Sequence, residues 1–256
     1  MKLNRPDVPM RAFLKRAPTA LFALALLCCV GAEALAQKTW KHTYPAKKNV
    51  RLQLSNLSGA ITVEGWDRDE IKLVAEMEAP VANFTPRQED DALIIDVKNQ
   101  NRGRSDVGSI NFKIWLPNSS VVDIETNQGN ISVKDINGSM VRAHVWLSGD
   151  IELLNLATSN VMASNTTGNI IFDGLLAWGG KYEFKSTQGN INIRIPGDAA
   201  FLLNAVSPER NINLGSFDNG RLMHADPRKA SGQIGANANA SLTVSNQKGR
   251  IALIRR

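Results

Sequence analysis

One short phrase recurs along this chain, and its spacing restricts the possible folds more than any other feature. Its four clearest copies read NQGNISV, LSGDIEL, TTGNIIF and TQGNINI, with their glycines at Gly129, Gly149, Gly168 and Gly189. The gaps between these glycines are 20, 19 and 21 residues. A fixed period of about 20 residues predicts a repeat architecture, in which each unit buries its apolar face against its neighbours.

Less regular copies extend the series in both directions. SGAITVEGW contains Gly59, KGRIALI contains Gly249, and PERNINL has Arg210 at the glycine position. An isoleucine follows two residues after each of these positions and a second apolar residue two further on. These two columns are Ile61, Ile131, Ile151, Ile170, Ile191, Ile212 and Ile251, then Val63, Val133, Leu153, Phe172, Ile193, Leu214 and Leu253. Alternation with β-branched residues predicts a strand after each corner.

Two further sets of apolar residues repeat with the phrase. A pair precedes each glycine position, for example Val122 and Ile124 or Tyr182 and Phe184, which predicts a second strand in each unit. A third column follows five residues after the isoleucines and contains Trp66, Ile136, Leu156, Leu175 and Phe217. Aligned columns of similar side chains are what stacked strands require. The sequence therefore predicts an all-β fold, a single-stack β-solenoid with coils of about 20 residues.

The phrase itself is predicted to form the corner of each coil. Glycine permits a positive φ angle in a tight turn. The Asn or Asp that follows it tolerates turn geometry and can hydrogen-bond to nearby backbone, so these side chains are also expected to form a ladder from coil to coil. The glycines are thus interpreted as structural and not as ligand-binding.

Two stretches depart from the repeat, and the ends of the stack are expected to be protected. Residues 80–109 are expected to form a long hairpin or loop near the N-terminal end of the stack, and residues 218–240 a small excursion before the last coil. The strand from Ile251 to Ile254 is then predicted to be the final edge, with Arg255 and Arg256 repelling the same edge of another molecule. Lys41, Lys47, Lys48 and Pro45 are expected to protect the opposite end.

The N-terminal 36 residues have the organisation of a signal peptide. A basic stretch ends at Arg16, an apolar run extends from Ala20 to Val30, and Ala34-Leu35-Ala36 fits the small-x-small rule for cleavage before Gln37. The predicted domains are a signal peptide over 1–36 and a β-solenoid over 37–256. A retained anchor is the alternative, although 11 apolar residues are few for a bilayer. A lipoprotein with Cys28 as the lipid-bearing residue is a further alternative, and translation could start at Met10.

Charge and cysteine content exclude several function classes. Residues 1–36 contain five of the 30 Lys and Arg residues and two of the 24 Asp and Glu residues, so the remainder carries 25 and 22, a net charge of only +3. This dilute charge gives little support for nucleic-acid binding. Both cysteines, Cys28 and Cys29, lie within the predicted signal peptide, which excludes thiol catalysis and disulfides from residues 37–256.

The residues Ser58 to Asp67, the strand Phe112 to Pro117 and the series of units from Thr126 onward resemble the bacterial putative-adhesin family. The resemblance extends from about Val50 to Leu253. It implies an exported β-strand-repeat domain of the cell envelope, of unknown function, and it brings no catalytic residues. A shared fold does not by itself assign a function.

A search for sites of chemistry finds one candidate surface. No nucleotide-binding, zinc-protease or serine-hydrolase motif is present, and the three histidines have no metal-ligand spacing, so no catalytic residue, cofactor or metal is predicted. If Val122, Ile124, Ala143 and Val145 point inward, strand alternation turns the neighbouring side chains outward as a possible contact patch: Asp123, Glu125, His144 and Trp146. Two carboxylates beside an aromatic ring are also used by glycosidases.

A flat exposed face would not perturb a carboxyl group, which argues against catalysis at this patch. Met162, Ser164, Glu183 and Lys185 continue the same outward columns and are expected to add no cleft. The sequence therefore predicts an exported, non-enzymatic β-solenoid in the periplasm or cell envelope, or secreted, that binds an envelope glycan or protein. The alternatives are a β-helical enzyme acting on polysaccharide and a periplasmic accessory protein in envelope-stress signalling.

Overall fold

Alternating apolar and polar residues form strands along most of the chain in the computed structural model, which describes residues 38–218, 223–226 and 228–256. The predicted signal peptide, residues 1–36, lies outside the described residues. The strands are β1 (Lys38–Pro45), β2 (Arg51–Ser58), β3 (Ile61–Trp66), β4 (Glu70–Met77), β5 (Arg87–Glu89), β6 (Ala92–Asp96), β7 (Ile110–Pro117), β8 (Val121–Gln128), β9 (Ile131–Lys134), β10 (Met140–Ser148), β11 (Ile151–Leu156), β12 (Asn160–Thr167), β13 (Ile170–Gly174), β14 (Lys181–Gln188), β15 (Ile191–Ile195), β16 (Phe201–Val206), β17 (Ile212–Asn213), β18 (Met223–Asp226), β19 (Lys229–Ile234), β20 (Ala240–Lys248) and β21 (Ile251–Arg255). A one-turn helix α1 (Val97–Gln100) and a 3₁₀ turn (Gly215–Phe217) complete the described elements. The all-β prediction is therefore confirmed.

The strands form two long sheets. Sheet A has the order β1-β4-β7-β3-β9-β11-β13-β15-β21-β17, and sheet B has the order β18-β19-β16-β20-β14-β12-β10-β8-β2-β6-β5. The central strands of both sheets are parallel, whereas β1, β4, β5, β18 and β19 run antiparallel to the strands they join. No helix in the part of the chain that the structure describes is both long and apolar enough to cross a membrane.

The strands are arranged in two-strand units, with one strand in each sheet. In sheet A the isoleucine column is in register from Ile61 through Ile131, Ile151, Ile170 and Ile191. Its members are fully buried, apart from a half-buried Ile212. The apolar pairs that precede the glycines face inward from sheet B and join the same core. The predicted inward register is confirmed in both sheets.

The glycine corners pack directly on one another. Gly129, Gly149, Gly168 and Gly189 all have positive φ angles, between 122° and 154°. A Cβ atom on Gly189 would lie 1.9 Å from the carbonyl oxygen of Gly168, and the other corners are similarly crowded. Glycine is therefore needed here both for its backbone conformation and because the next corner occupies the space of a side chain.

The Asn and Asp residues after the glycines form the predicted ladder, although the bonds run from side chain to backbone. The side-chain oxygens of Asn130, Asp150 and Asn169 accept the backbone N–H of the equivalent residue in the next unit, at 2.6–2.9 Å. Asn190 continues the ladder by accepting the N–H of Arg250, at 3.0 Å. Each of these bonds connects neighbouring units at the corner.

The stacking order differs from the chain order at the C-terminal end, so the predicted final edge was wrong. Strand β21 lies between β15 and β17 in sheet A, and Ile251 pairs with both Ile191 and Ile212. The glycine corners explain this exchange. Gly249 stacks on Gly189, where a Cβ atom would lie 2.0 Å from the carbonyl oxygen, so this place in the stack requires glycine. The corner of Arg210, next to Gly249, departs from the regular geometry: the N–H of Gly249 bonds to the side chain of Glu209, whereas the N–H of Gly189 bonds to the backbone carbonyl of Lys248. The unit with Arg210 at the glycine position is therefore the outermost of the parallel units at this end.

A unit that the sequence analysis did not assign lies at the other end. Within residues 80–109, β5 and β6 form a hairpin as expected, but β6 also pairs in parallel with β2. Strand β7 pairs in parallel with β3, with Phe112 beside Ile61, so β6 and β7 make a further unit outside β2 and β3.

One residue of the third apolar column, Leu175, is exposed and not buried as predicted. Gly174 pairs with Leu156 in its place.

Candidate functional site

The predicted patch lies on the outward face of sheet B, where parallel pairing brings its residues together. Strands β8 and β10 place Glu125 beside His144 and Asp123 beside Arg142. The rings of His144 and Trp146 meet edge to face, with their centroids 4.2 Å apart. All four predicted residues therefore lie in one cluster, which also includes Arg142.

Glu125 is the most connected side chain of the cluster. Its two carboxylate oxygens accept hydrogen bonds from the Ser55 hydroxyl at 2.9 Å and the Trp146 indole N–H at 3.2 Å. Lys98 of α1 forms an ion pair with it at 3.8 Å, and its ammonium also lies 5.1 Å from the centre of the Trp146 ring. Burial acts to raise the pKa of Glu125, but these hydrogen bonds and the charges of Lys98 and Arg142 lower it overall.

Asp123 is paired with a cation from the neighbouring strand. The Nε atom of Arg142 lies 2.6 Å from its Oδ1 atom. This bond raises the pKa of Arg142 above its already high ordinary value. Because the donors around Glu125 lower its pKa, this carboxylate is not arranged as the raised-pKa acid that glycoside hydrolysis needs.

His144 connects the patch to the next strand. Its Nδ1 atom makes a short hydrogen bond with the Ser164 hydroxyl of β12, and its buried Nε2 atom has no partner among the described residues. Burial, opposed by the charge of Glu125, lowers the pKa of His144 below its ordinary value. This shift favours the neutral form of the imidazole.

The outward face of sheet B is not flat, contrary to the prediction from the sequence. Helix α1 follows β6 and projects over the outer face of sheet B, and the space beneath it is a groove of about 460 Å³ lined by residues that include Lys98, Asp123, Glu125 and Arg142. A smaller cavity of about 150 Å³ adjoins it at Arg142 and is lined by Met162, Ser164, Glu183 and Lys185 among others. The residues expected to add no cleft therefore extend the groove.

The groove offers hydrogen-bonding groups, and the ring of Trp146 lies next to it through its bond to Glu125. Nowhere in residues 38–218, 223–226 and 228–256 do three or more His, Cys, Asp or Glu side chains cluster in a way that could hold a metal ion. Trp146 is 49% exposed at the edge of the cluster. Such a surface can bind a polar ligand by hydrogen bonds and ring contact.

Two contributors were missed by the sequence analysis, for different reasons. Arg142 occupies the outward position between Val141 and Ala143, so the same alternation that identified His144 could have found it. Lys98 belongs to α1, outside the repeat, and its approach to Glu125 depends on how β6 pairs with β2. No local pattern encodes that pairing.

Comparison with known structures shows that a remotely similar protein has the same fold. A putative cell adhesion protein from Clostridium sporogenes ATCC 15579 is 13% identical, with a TM-score of 0.53, and the match covers 86% of this chain and 100% of that one. A putative adhesin from Bacteroides fragilis NCTC 9343 is 11% identical with a TM-score of 0.33, covering 86% and 99%. No curated protein matches the chain significantly.

The family comparison covers almost the whole of the described chain. The match to the model of the Toastrack family extends over residues 43–253, from within β1 to within β21. It therefore includes all the two-strand units of both sheets, and it agrees with the resemblance that begins near Val50. The chain is a member of the Toastrack DUF4097 family.

Proposed function

We propose that this protein is an exported, non-enzymatic β-solenoid of the cell envelope, which acts in adhesion or envelope association by binding through the outward face of sheet B. In this proposal the two-strand units are its coils, of about 20 residues in the regular middle part. The groove beneath α1 is the binding surface, and Asp123, Glu125, His144 and Trp146 are its contact patch. The proposed ligand is an envelope glycan, or a protein of the envelope.

One observation carries this proposal. The polar groups of the groove are fixed by one another across three elements, because Glu125 is bonded by Ser55 of β2, Trp146 of β10 and Lys98 of α1. A surface whose side chains are already ordered loses less conformational entropy when a ligand binds. The exposed ring of Trp146 adds the kind of apolar contact that sugar rings and interface residues use.

The names of the structural relatives agree with a binding role, although their low identity supports only the fold. The carboxylates of Glu125 and Asp123 already accept hydrogen bonds from neighbouring side chains, which also favours ligand binding over polysaccharide cleavage. Nothing in the geometry specifically favours a role in envelope-stress signalling. The proposed location in the periplasm or cell envelope depends on the predicted signal peptide.

The test is retention of envelope glycans and envelope proteins by the purified protein. We expect Trp146→Ala and Lys98→Ala each to weaken retention about tenfold, since Lys98 lines the groove and Trp146 supplies the exposed ring bonded to Glu125. Leu202→Ala is the matched control, because Leu202 is an exposed apolar residue of sheet B that does not line the groove. Equal retention by all three variants would contradict the proposed surface, and release of reducing sugar ends would contradict a non-enzymatic role.

A further inference from the structure

A second surface lies on the connection between β13 and β14, away from the groove. This connection, residues 175–180, reads LLAWGG, whereas the equivalent connections 135–139 and 157–159 read DINGS and ATS. Trp178 is 75% exposed, and Leu175 is 45% exposed. An apolar and aromatic loop turned toward solvent is typical of a surface that binds a partner or a membrane.

The loop is held in a defined shape. The buried hydroxyl of Tyr182 accepts the N–H of Ala177 at 2.7 Å and donates to the carbonyl oxygen of Thr158 at 2.8 Å. Leu176 packs against the core, and the N–H of Gly180 bonds to the carbonyl oxygen of Ala177 at 2.9 Å. The core thus fixes the base of the loop while the indole of Trp178 points outward.

Beside the loop is a hollow of about 370 Å³. Its wall includes Leu175, Leu176, Ala177 and Trp178 from the loop, and Pro196, Asp198 and Ala199 from the next connection. The loop and the hollow therefore form one continuous surface of apolar side chains with the carboxylate of Asp198 among them, which we call the Trp178 surface.

Basic side chains surround the Trp178 surface. Lys181 follows the loop directly, and Arg255 lies against Gly197, where a Cβ atom would be 1.7 Å from its Nε atom. Arg194 and Arg256 share the carboxylate of Asp173, at 3.5 and 3.0 Å. Together with Asp198 this makes four basic and two acidic residues, a net charge of +2. Neither Lys181 nor Arg255 has an ion-pair partner among the described residues.

We propose that the Trp178 surface docks the protein on an anionic lipid bilayer, with the Trp178 ring at the headgroup level and the basic side chains against lipid phosphates. Tryptophan partitions to membrane interfaces because its ring is largely apolar and carries one polar N–H. Basic residues next to it complement the negative surface of the bilayer. The mode is peripheral, with no part of the described chain crossing the membrane, and it is independent of the groove on sheet B.

The test uses the full chain with vesicles of phosphatidylethanolamine containing phosphatidylglycerol, or of phosphatidylcholine alone. We expect sedimentation with the anionic vesicles to weaken about tenfold or more in Trp178→Ser, because the apolar contact of the ring is lost. Arg255→Gln should weaken it about fivefold, and added salt should weaken it further. Leu202→Ser, at an exposed apolar position of sheet B outside the Trp178 surface, should bind as the parent does.

A second measurement separates the Trp178 surface from any contribution of residues 1–36, which contain no tryptophan. Brominated lipids should quench the tryptophan emission of the parent and of Trp115→Phe, and the quenching should largely disappear in Trp178→Phe. Absence of vesicle binding, or binding without quenching that depends on Trp178, would overturn the proposal. So would capture of this loop by a protein partner in the absence of any vesicle binding.

Discussion

The corner glycines are the residues with the least tolerance for change. We expect Gly189→Ala to destabilise the protein strongly, because a methyl group there would meet the carbonyl oxygen of Gly168 at 1.9 Å. Gly103→Ala is the matched control, since Gly103 also has a positive φ angle but has open space around it. The control should cost about 1 to 2 kcal/mol for the backbone conformation alone, and Gly189→Ala at least about 2 kcal/mol more. Urea denaturation of both variants measures the difference, and equal losses would contradict the close packing.

The two residues that follow Gly189 should differ sharply in what they tolerate. Ile191 is fully buried in the isoleucine column, so Ile191→Asp should abolish folding by burying an unpaired charge. Asn190→Ala removes one ladder bond to Arg250 and should cost only about 1 kcal/mol. Thermal denaturation followed by circular dichroism distinguishes them, and near-parental melting of Ile191→Asp would refute the inward register.

His144 should make stability depend on pH. Burial lowers its pKa in the folded protein, so below the ordinary value of 6.5 the unfolded chain binds a proton that the folded protein resists. Stability should therefore fall as pH decreases from about 6.5 toward the folded pKa. His144→Gln should have a flatter stability profile in that range. The comparison requires urea midpoints from pH 7.5 to 5, and identical slopes for the two proteins would show that His144 does not contribute.

Most of the contact patch was predictable from the sequence because strand alternation determines which side chains face outward. Parallel pairing at equivalent positions then brings Glu125 and His144 together, and the repeat fixes that register. The depth of the groove was not predictable. It depends on α1, a short helix in a stretch without periodicity, and therefore on a tertiary contact that local sequence does not encode.

Among the strands, β21 should be needed for the stability of its neighbours, because it lies between β15 and β17 in sheet A. Deleting residues 255 and 256 removes the pair between Arg256 and Asp173 and the bond from the N–H of Arg256 to Ile195, and should cost about 1 kcal/mol. Deleting 251–256 should instead unfold the last units, because β15 and β17 both lose their neighbour. Limited proteolysis near β16 and β17 is the measurement. Equal protection in both deletions would contradict the position of β21 within sheet A.

The unit of β6 and β7 was not predicted from the sequence because its corner differs from the other corners at one position. Its corner reads SINF, with Asn111 at the ladder position and Phe112 at the isoleucine position, but Ile110 replaces the glycine. Asn111 nevertheless accepts the N–H of Ala60 at 2.8 Å, as the other ladder residues do for their neighbours. A search anchored on the asparagine and the apolar residue after it, and not on glycine, would have included this unit.

For the molecule as a whole, export is the prediction that determines which ligands are available. The apolar run and Ala34-Leu35-Ala36 predict cleavage before Gln37. Mass spectrometry of the protein from the native envelope should show Gln37 as its N-terminus. A mature protein that begins at Met1 or Met10 would contradict this prediction.

The exchanged order of the last units also constrains how the protein can be made. Within residues 38–218, 223–226 and 228–256, the unit of β16 and β17 has no parallel neighbour other than β20 and β21, which follow it in the chain. Until β20 and β21 are available, β16 and β17 have no parallel partner, and β14 and β15 present an open edge. The sheets therefore cannot be completed by adding one unit after another in chain order. A chain interrupted before β20 would keep both surfaces unpaired, so completion of the fold itself distinguishes a full-length product from a fragment.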